Sequence, residues 1–162
     1  MAHSVQVAGP AEIKVGTGST GALESLGYTA QGADVRNQGF FLDVPGDQNG
    51  GDQGPPIDVQ YLGEIARIRL ELTKWDDAIA AKIRTRLLAG TEGTPGTAGT
   101  LMFGDSKTVR VLVNTTTGPM NFPRSFIRGE WEINKGTKFS RLVVEFEAHK
   151  DSTGVLYNAV VT

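Results

Sequence analysis

The chain has 162 residues, of which 39% are hydrophobic, with a formal net charge of −2 and no cysteine. That length suits a single domain able to bury a real core, and the charge balance excludes a general nucleic-acid binder, which needs a basic surface to displace counterions from phosphate. Without cysteine there are no disulfides and no thiolate metal sites. No segment approaches the ~20 apolar residues of a membrane span, and residues 1–16 lack a basic region followed by an apolar core, so a soluble protein with no export signal and no membrane insertion is expected.

Residues 1–10 read as an extended arm, in which Val5 and Val7 alternate before Gly9 and Pro10 stop the pattern. Glu12 to Val15 fits a short strand. The following run, Gly16-Thr17-Gly18-Ser19-Thr20-Gly21, spells G-x-G-x-x-G. A dinucleotide site needs a full helix directly after those glycines and then a returning parallel strand, and only Ala22 to Leu26 is available before Gly27. A loop is the expected reading. Ala33 to Arg36 and Gln38 to Val44 then fit two short strands joined by a turn.

Residues 45–56, PGDQNGGDQGPP, form a loop rich in structure-breaking residues. Asp47, Asn49 and Asp52 miss the calcium-loop pattern, because Asp52 stands where glycine is needed and no glutamate is twelfth. From Glu64 to Leu72 the periodicity becomes unambiguous: Ala66, Ile68, Leu70 and Leu72 alternate with Arg67, Arg69 and Glu71, giving a strand with one apolar and one charged face. Thr73 then reads as a helix cap, with Asp76 reaching back to it. Trp75, Ile79, Ala80, Ile83 and Leu87 supply an apolar stripe, and Gly90 a stop. The helix is expected to lie on the apolar face of the preceding strand.

Residues 91–99 are a second flexible loop. Four strand-like runs follow, at 108–113, 126–133, 139–148 and 155–161, joined by turns short enough for an antiparallel meander. The expected architecture is mainly β: an antiparallel β-sandwich or barrel of about eight strands with one flanking α-helix, in one domain with an arm (1–10) and long loops (45–56 and 91–99).

Catalytic chemistry finds little to work with. The two histidines, His3 and His149, sit in the arm and at a strand end, and a triad or imidazole metal site needs more than that. Glu130, Glu132, Glu145 and Glu147 alternate with Arg128 and Arg141 on neighbouring strands, and Arg67, Arg69 and Glu71 continue the pattern. A solvated face of cross-strand ion pairs explains them better than a carboxylate pair for glycoside hydrolysis. Trp75 and Trp131 fall at core positions by periodicity. No enzyme activity and no cofactor are expected.

The order VGTGSTGALESLGYTAQGADV, FFLDV, a glycine and aspartate loop, PPIDVQYLGEIARIRLEL and TKWDD, covering roughly Ala11 to Leu88, resembles the tail tube (major tail) proteins of tailed bacteriophages. Its most specific phrases are LGYT followed by GADV, and PPIDVQYLGE leading into the alternating strand. The resemblance implies hexameric rings stacked into a hollow tube, a virion component made in the bacterial host cytoplasm and related in fold to type VI secretion tubes. Partners would be further copies of the chain, sheath, baseplate or tail-terminator proteins, and double-stranded DNA passing without specific binding. Under this reading Val5, Val7, Asp47, Asn49, Asp52, Pro55 and Pro56 are assembly contacts. Arg67, Arg69, Glu71, Arg128, Glu130, Arg141, Glu145 and Glu147 line the lumen or another polar sheet face. The alternatives are a neck, tail-terminator or head-decoration protein, or a carbohydrate-binding β-sandwich using Phe40, Phe41 and Tyr61.

Overall fold

The computed structural model describes residues 10–18, 20–46, 54–88, 95–96, 98–104, 107–115, 118–136 and 140–158, with helix side chains up to Arg84. Its elements are β1 (Ala11–Thr17), β2 (Glu24–Val44), β3 (Asp58–Trp75), α1 (Asp77–Leu88), β4 (Val109–Thr115), β5 (Gly118–Lys135) and β6 (Ser140–Ala148). The strands close into a barrel in the order β1-β2-β3-β6-β5-β4, every pairing antiparallel. Of the two expected architectures the barrel is correct, and the described residues hold six strands rather than about eight.

The difference in number comes from strand length. The two strands expected at 33–36 and 38–44 are one continuous β2, because its partner β3 runs antiparallel to it from Gly27↔Trp75 to Val44↔Asp58 and bulges absorb the irregular positions. The segment expected as a strand at 155–161 contributes, within its described part, only an isolated bridge from Asn158 to Asn121. The glycine run begins within β1, which pairs antiparallel with β2, and among the described residues no helix lies between the two strands.

Period-two patterning builds the core. Ala66, Ile68, Leu70 and Leu72 of β3 point inward beside Leu142, Val144, Phe146 and Ala148 of β6, and Ile13, Val15, Val109, Val111, Val113 and Phe122 close the ring. All are buried; between them β3 turns Arg67, Arg69 and Glu71 outward, whereas Leu112 of β4 and Val143 of β6 are apolar and buried as well.

Thr73 is not the helix cap. Strand β3 continues through it to Trp75, and its hydroxyl donates instead to the Tyr28 carbonyl at 3.4 Å. Strands β2 and β3 meet closely here because residue 27 is glycine: a Cβ on Gly27 would lie 2.1 Å from the Lys74 carbonyl oxygen. The cap is Asp76, whose Oδ1 accepts from the backbone N–H of Ala78 (2.9 Å) and Ile79 (3.2 Å).

Helix α1 does not lie on the face of β3. It connects β3 to β4, which stand three strands apart whichever way one goes round the barrel, so the chain must cross the barrel's open end. Ala80 and Ile83 stop that end with buried side chains, while Trp75 and Ile79 pack on the rim, partly exposed.

Candidate assembly surfaces

The first surface is a ribbon. Strand β6 pairs with β3 only from Ala66 to Leu72, and β1 pairs with β2 only as far as Thr29. Beyond those limits β2 and β3 still pair with each other from Gln38↔Ile65 to Val44↔Asp58, so two strands continue past the barrel alone. At about 3.3 Å per residue the projection is roughly 20 Å long. Among the described residues neither outer edge of it has a backbone partner.

Its side chains are not those of a solvated hairpin. Phe40, Phe41, Leu42, Ile57, Val59, Tyr61 and Leu62 are all exposed, Phe41 to 61% and Ile57 to 60%. A bulge between Phe40 and Phe41 changes the side-chain phase, so both faces carry apolar groups, and the Phe41 and Tyr61 rings meet at 5.6 Å between centroids. A contiguous apolar patch on free strand edges is a surface made to be covered. Periodicity marks these residues as strand, and Phe40, Phe41 and Tyr61 as the aromatics a carbohydrate site would need exposed; it lacks the signal that, among the described residues, no other strand reaches far enough to cover them.

Pro55 and Pro56 lie exposed at the distal end of this ribbon, just before Ile57, whose N–H donates to the Val44 carbonyl at 3.0 Å. Val5, Val7, Asp47, Asn49 and Asp52 lie outside the described residues.

The second surface is the outer face of β3, β6 and β5, where the charged residues do come together. Arg69 reaches Glu130 (3.8 Å), Arg141 bridges Glu71 and Glu132 (3.5 Å to each), and Arg128 and Arg67 converge on Glu147 (3.0 and 3.9 Å). Glu145 sits opposite Arg69 in register and is half-buried. Between Ile127 and Trp131 strand β5 bulges, and Gly129 takes φ 125° there, with Glu145 so near that a Cβ would meet its carboxylate at 2.7 Å. That turn aims Arg128 at Glu147 and Glu130 at Arg69. One expectation needs correction: Glu147 is not solvated, its side chain being 2% exposed under Arg67, Arg128 and His149.

Among the described residues neither surface brings a nucleophile and a base together. His149, the described histidine, is committed: its Nε2 lies 2.8 Å from Glu147 Oε1, and its ring stacks on Phe126 at 5.3 Å. Among the described residues no helix is long and apolar enough to cross a membrane, and no group of three or more acidic, histidine or cysteine side chains is placed to hold a metal.

A solved structure shares this architecture over almost its whole length. The chain superposes on a protein from the tail of an empty GTA (gene transfer agent) particle, reconstructed by helical refinement with C6 symmetry, with a TM-score of 0.52 over 93% of this chain and 95% of that one. The fold is that of a phage-like tail protein. Identity across the superposition is 11%, so the tail fold is kept while most side chains differ. No family model matches the sequence, and no curated protein matches it.

Proposed function

We propose that the protein is a structural subunit of a phage-like tail that assembles into stacked six-fold rings, whose bore gives DNA its passage out of the particle. The observation that carries this reading is the end-to-end match to a C6-symmetric tail. The ribbon supports it independently. Seven exposed apolar side chains on two unpaired edges are a standing cost in a monomer, and covering each would contribute about 1 kcal/mol or more. Free edges also let neighbouring subunits continue one another's sheets. In this role the protein is not an enzyme and needs no cofactor, and its site of action is the virion.

Closed rings that never stack would instead fit a neck, terminator or decoration protein. Electron microscopy of the purified protein distinguishes these outcomes: stacked rings or tubes are expected, isolated rings would move the assignment to a neck or terminator role, and monomers at high concentration would overturn it.

A further inference from the structure

The ribbon leaves the barrel through a weak joint. Ala66 is the last residue of β3 with a strand on each side, pairing with Asn37 and with Ala148. Three rungs beyond it β3 carries an extra residue: Phe40 pairs with Gly63 and Phe41 with Tyr61, so Leu62 has no place in the ladder. Gly39, opposite Glu64, puts a second glycine one rung nearer the barrel. A bulge bends a strand and interrupts its pairing, and glycine weakens it further, so both strands are soft at the same level.

The barrel holds a stiff counterpart for comparison. In the bulge of β5, Gly129 takes φ 125°, but a Cβ there would meet the Glu145 carboxylate at 2.7 Å, and β6 pairs with β5 on both sides of it. The flanking Arg128 and Glu130 are tied to Glu147 and Arg69. Gly63 takes nearly the same φ, 128°, with nothing within 4 Å of the place a Cβ would occupy. Gly27 is glycine because Lys74 comes close, whereas Gly63 is glycine only for the freedom of its backbone.

On either side of the joint the chain is firm. Toward the barrel, β3 gains a strand on each edge from Ala66 onward. Toward the tip, the ladder runs unbroken from Phe41↔Tyr61 to Val44↔Asp58, the Phe41 and Tyr61 rings meet at 5.6 Å, and the Ile57 N–H closes the end on the Val44 carbonyl. Two firm bodies joined by two short glycine-bearing stretches have the geometry of a hinge, in which a few residues absorb the change in φ and ψ.

We propose that the ribbon swings as one body about a hinge at Gly39, Leu62 and Gly63, and that this hinge gates assembly. In the free subunit the ribbon populates a range of directions. Only the fraction holding the assembled direction is competent to join, and the apparent affinity between subunits is lowered by that fraction. Covering the ribbon's apolar side chains then fixes its direction. The gate rests on the tail reading above; the hinge itself is a property of the single chain.

The chain has no cysteine, so pairs of spin labels on introduced thiols report without background. Frozen-sample distance distributions record the spread of populated directions whatever the rate of swinging. Three pairs of exposed positions are compared in dilute, unassembled protein: Val59 with Asn114 straddles the hinge, Lys74 with Asn114 lies within the barrel, and the register partners Leu42 and Gln60 lie within the ribbon. The straddling distribution is expected to be about twice as wide as the barrel pair's or more, while the ribbon pair stays close. A straddling distribution no wider than the barrel pair's would overturn the hinge. A separated ribbon pair would show fraying instead of swinging and overturn it equally.

Deleting Leu62 together with Gly63→Val removes the extra residue and the positive φ but keeps every pairing from Phe41↔Tyr61 onward. With folding confirmed by circular dichroism, the straddling width should fall to that of the barrel pair, and an unchanged width would refute these residues as the hinge. For the gate, labelled subunits are diluted into excess wild type and assembled, and the straddling distribution should narrow to the barrel pair's width. Ordered assemblies in which it stays as wide as in the free subunit would overturn the gate. Wild-type protein that forms no ordered assembly would overturn the tail reading and the gate with it, and leave the hinge measured in free protein standing.

Discussion

Arg128 Nη1 donates to Glu147 Oε1 across 3.0 Å, joining a guanidinium that is largely exposed to a carboxylate that is almost entirely buried. The same oxygen faces His149 Nε2, and Arg67 covers the other. A buried carboxylate with three cationic or donor partners is held by all of them, and its loss removes charge-assisted hydrogen bonds of about 1.5–3 kcal/mol. Glu147→Ala is expected to lower stability by about that amount in denaturant titration. Because Arg128 is 65% exposed, its own share is screened, and a double-mutant cycle with Arg128→Met should return a coupling of about 1 kcal/mol. A coupling indistinguishable from zero would mean that Arg67 and His149 hold the carboxylate by themselves.

The boundary between β3 and α1 gives a sharp comparison of two side chains three residues apart. Asp76 satisfies two N–H groups of the first turn, whereas Thr73 makes a 3.4 Å bond to the Tyr28 carbonyl within the strand. Asp76→Ala should therefore cost about 1 kcal/mol, and Thr73→Ala should lie within about half of that. Equal effects, measured by chemical unfolding, would place the cap elsewhere.

That boundary also shows what the sequence makes legible. Alternation in β3 identifies every inward residue from Ala66 to Leu72, because burial of one strand face is a local, period-two property. The helical stripe starts one turn later than its spacing suggests, since Trp75 fits the spacing of Ile79 and Ile83 although it ends a strand. What overrides the pattern is tertiary: the backbone of Gly27 approaches so closely that the strand pairs for two residues beyond Thr73. The ribbon was hidden for a related reason. Phe40 to Val44 has the composition of a core strand, and its exposure follows from the shortness of β1 and β6, which no window of β2 contains. The charged face is readable residue by residue, but the burial of Glu147 is not, because it depends on Arg128 and Arg67 on neighbouring strands reaching over it.

Ile83 carries the closure of the helical end, at 4% exposure. Truncation to alanine should cost about 2–4 kcal/mol, and Ile83→Asp, which puts an unpaired charge among apolar groups, should leave no folded protein. A soluble Ile83→Asp variant with unchanged thermal unfolding would show that α1 is not part of the barrel's own core.

Asp151 organises the turn after β6. Its Oδ1 accepts from the Thr153 hydroxyl (2.7 Å) and from the backbone N–H groups of Thr153 (2.9 Å) and Val155 (3.0 Å), and these bonds, the Thr153 hydroxyl foremost, hold its carboxyl below the ordinary aspartate value against a smaller opposing effect of burial. A carboxyl depressed by folding stabilises the native state above its unfolded value, about 3.9, and that contribution is lost as pH falls through the lower, folded value. Wild type should exceed Asp151→Asn in melting temperature by a constant margin above about pH 5, and the margin should shrink below pH 4. A margin independent of pH would show that the turn does not depend on the ionised form.

The passage of DNA sets opposite demands on whichever face lines the bore: it must be wetted by a polyanion yet not retain it. Each phosphate neutralised by an unopposed cation adds a salt-dependent increment of binding, and a ring multiplies any such cation by its symmetry. On the outer face of β3, β6 and β5 the four arginines Arg67, Arg69, Arg128 and Arg141 stand with five glutamates, Glu71, Glu130, Glu132, Glu145 and Glu147, and each arginine is within 4 Å of one of them. If this face lines the bore, assembled wild type should retain duplex DNA weakly even at low salt; submicromolar binding that falls steeply with added salt would contradict a conduit. Glu147 is unsuited to charge reversal, since a buried lysine there would unfold the sheet. Glu130 and Glu132 are about half-exposed, and replacing both by lysine frees Arg69 and leaves Arg141 with Glu71 alone. The doubly substituted assemblies should then hold DNA with an affinity that drops as salt rises, and tubes that still ignore DNA would place this face on the outside of the tail.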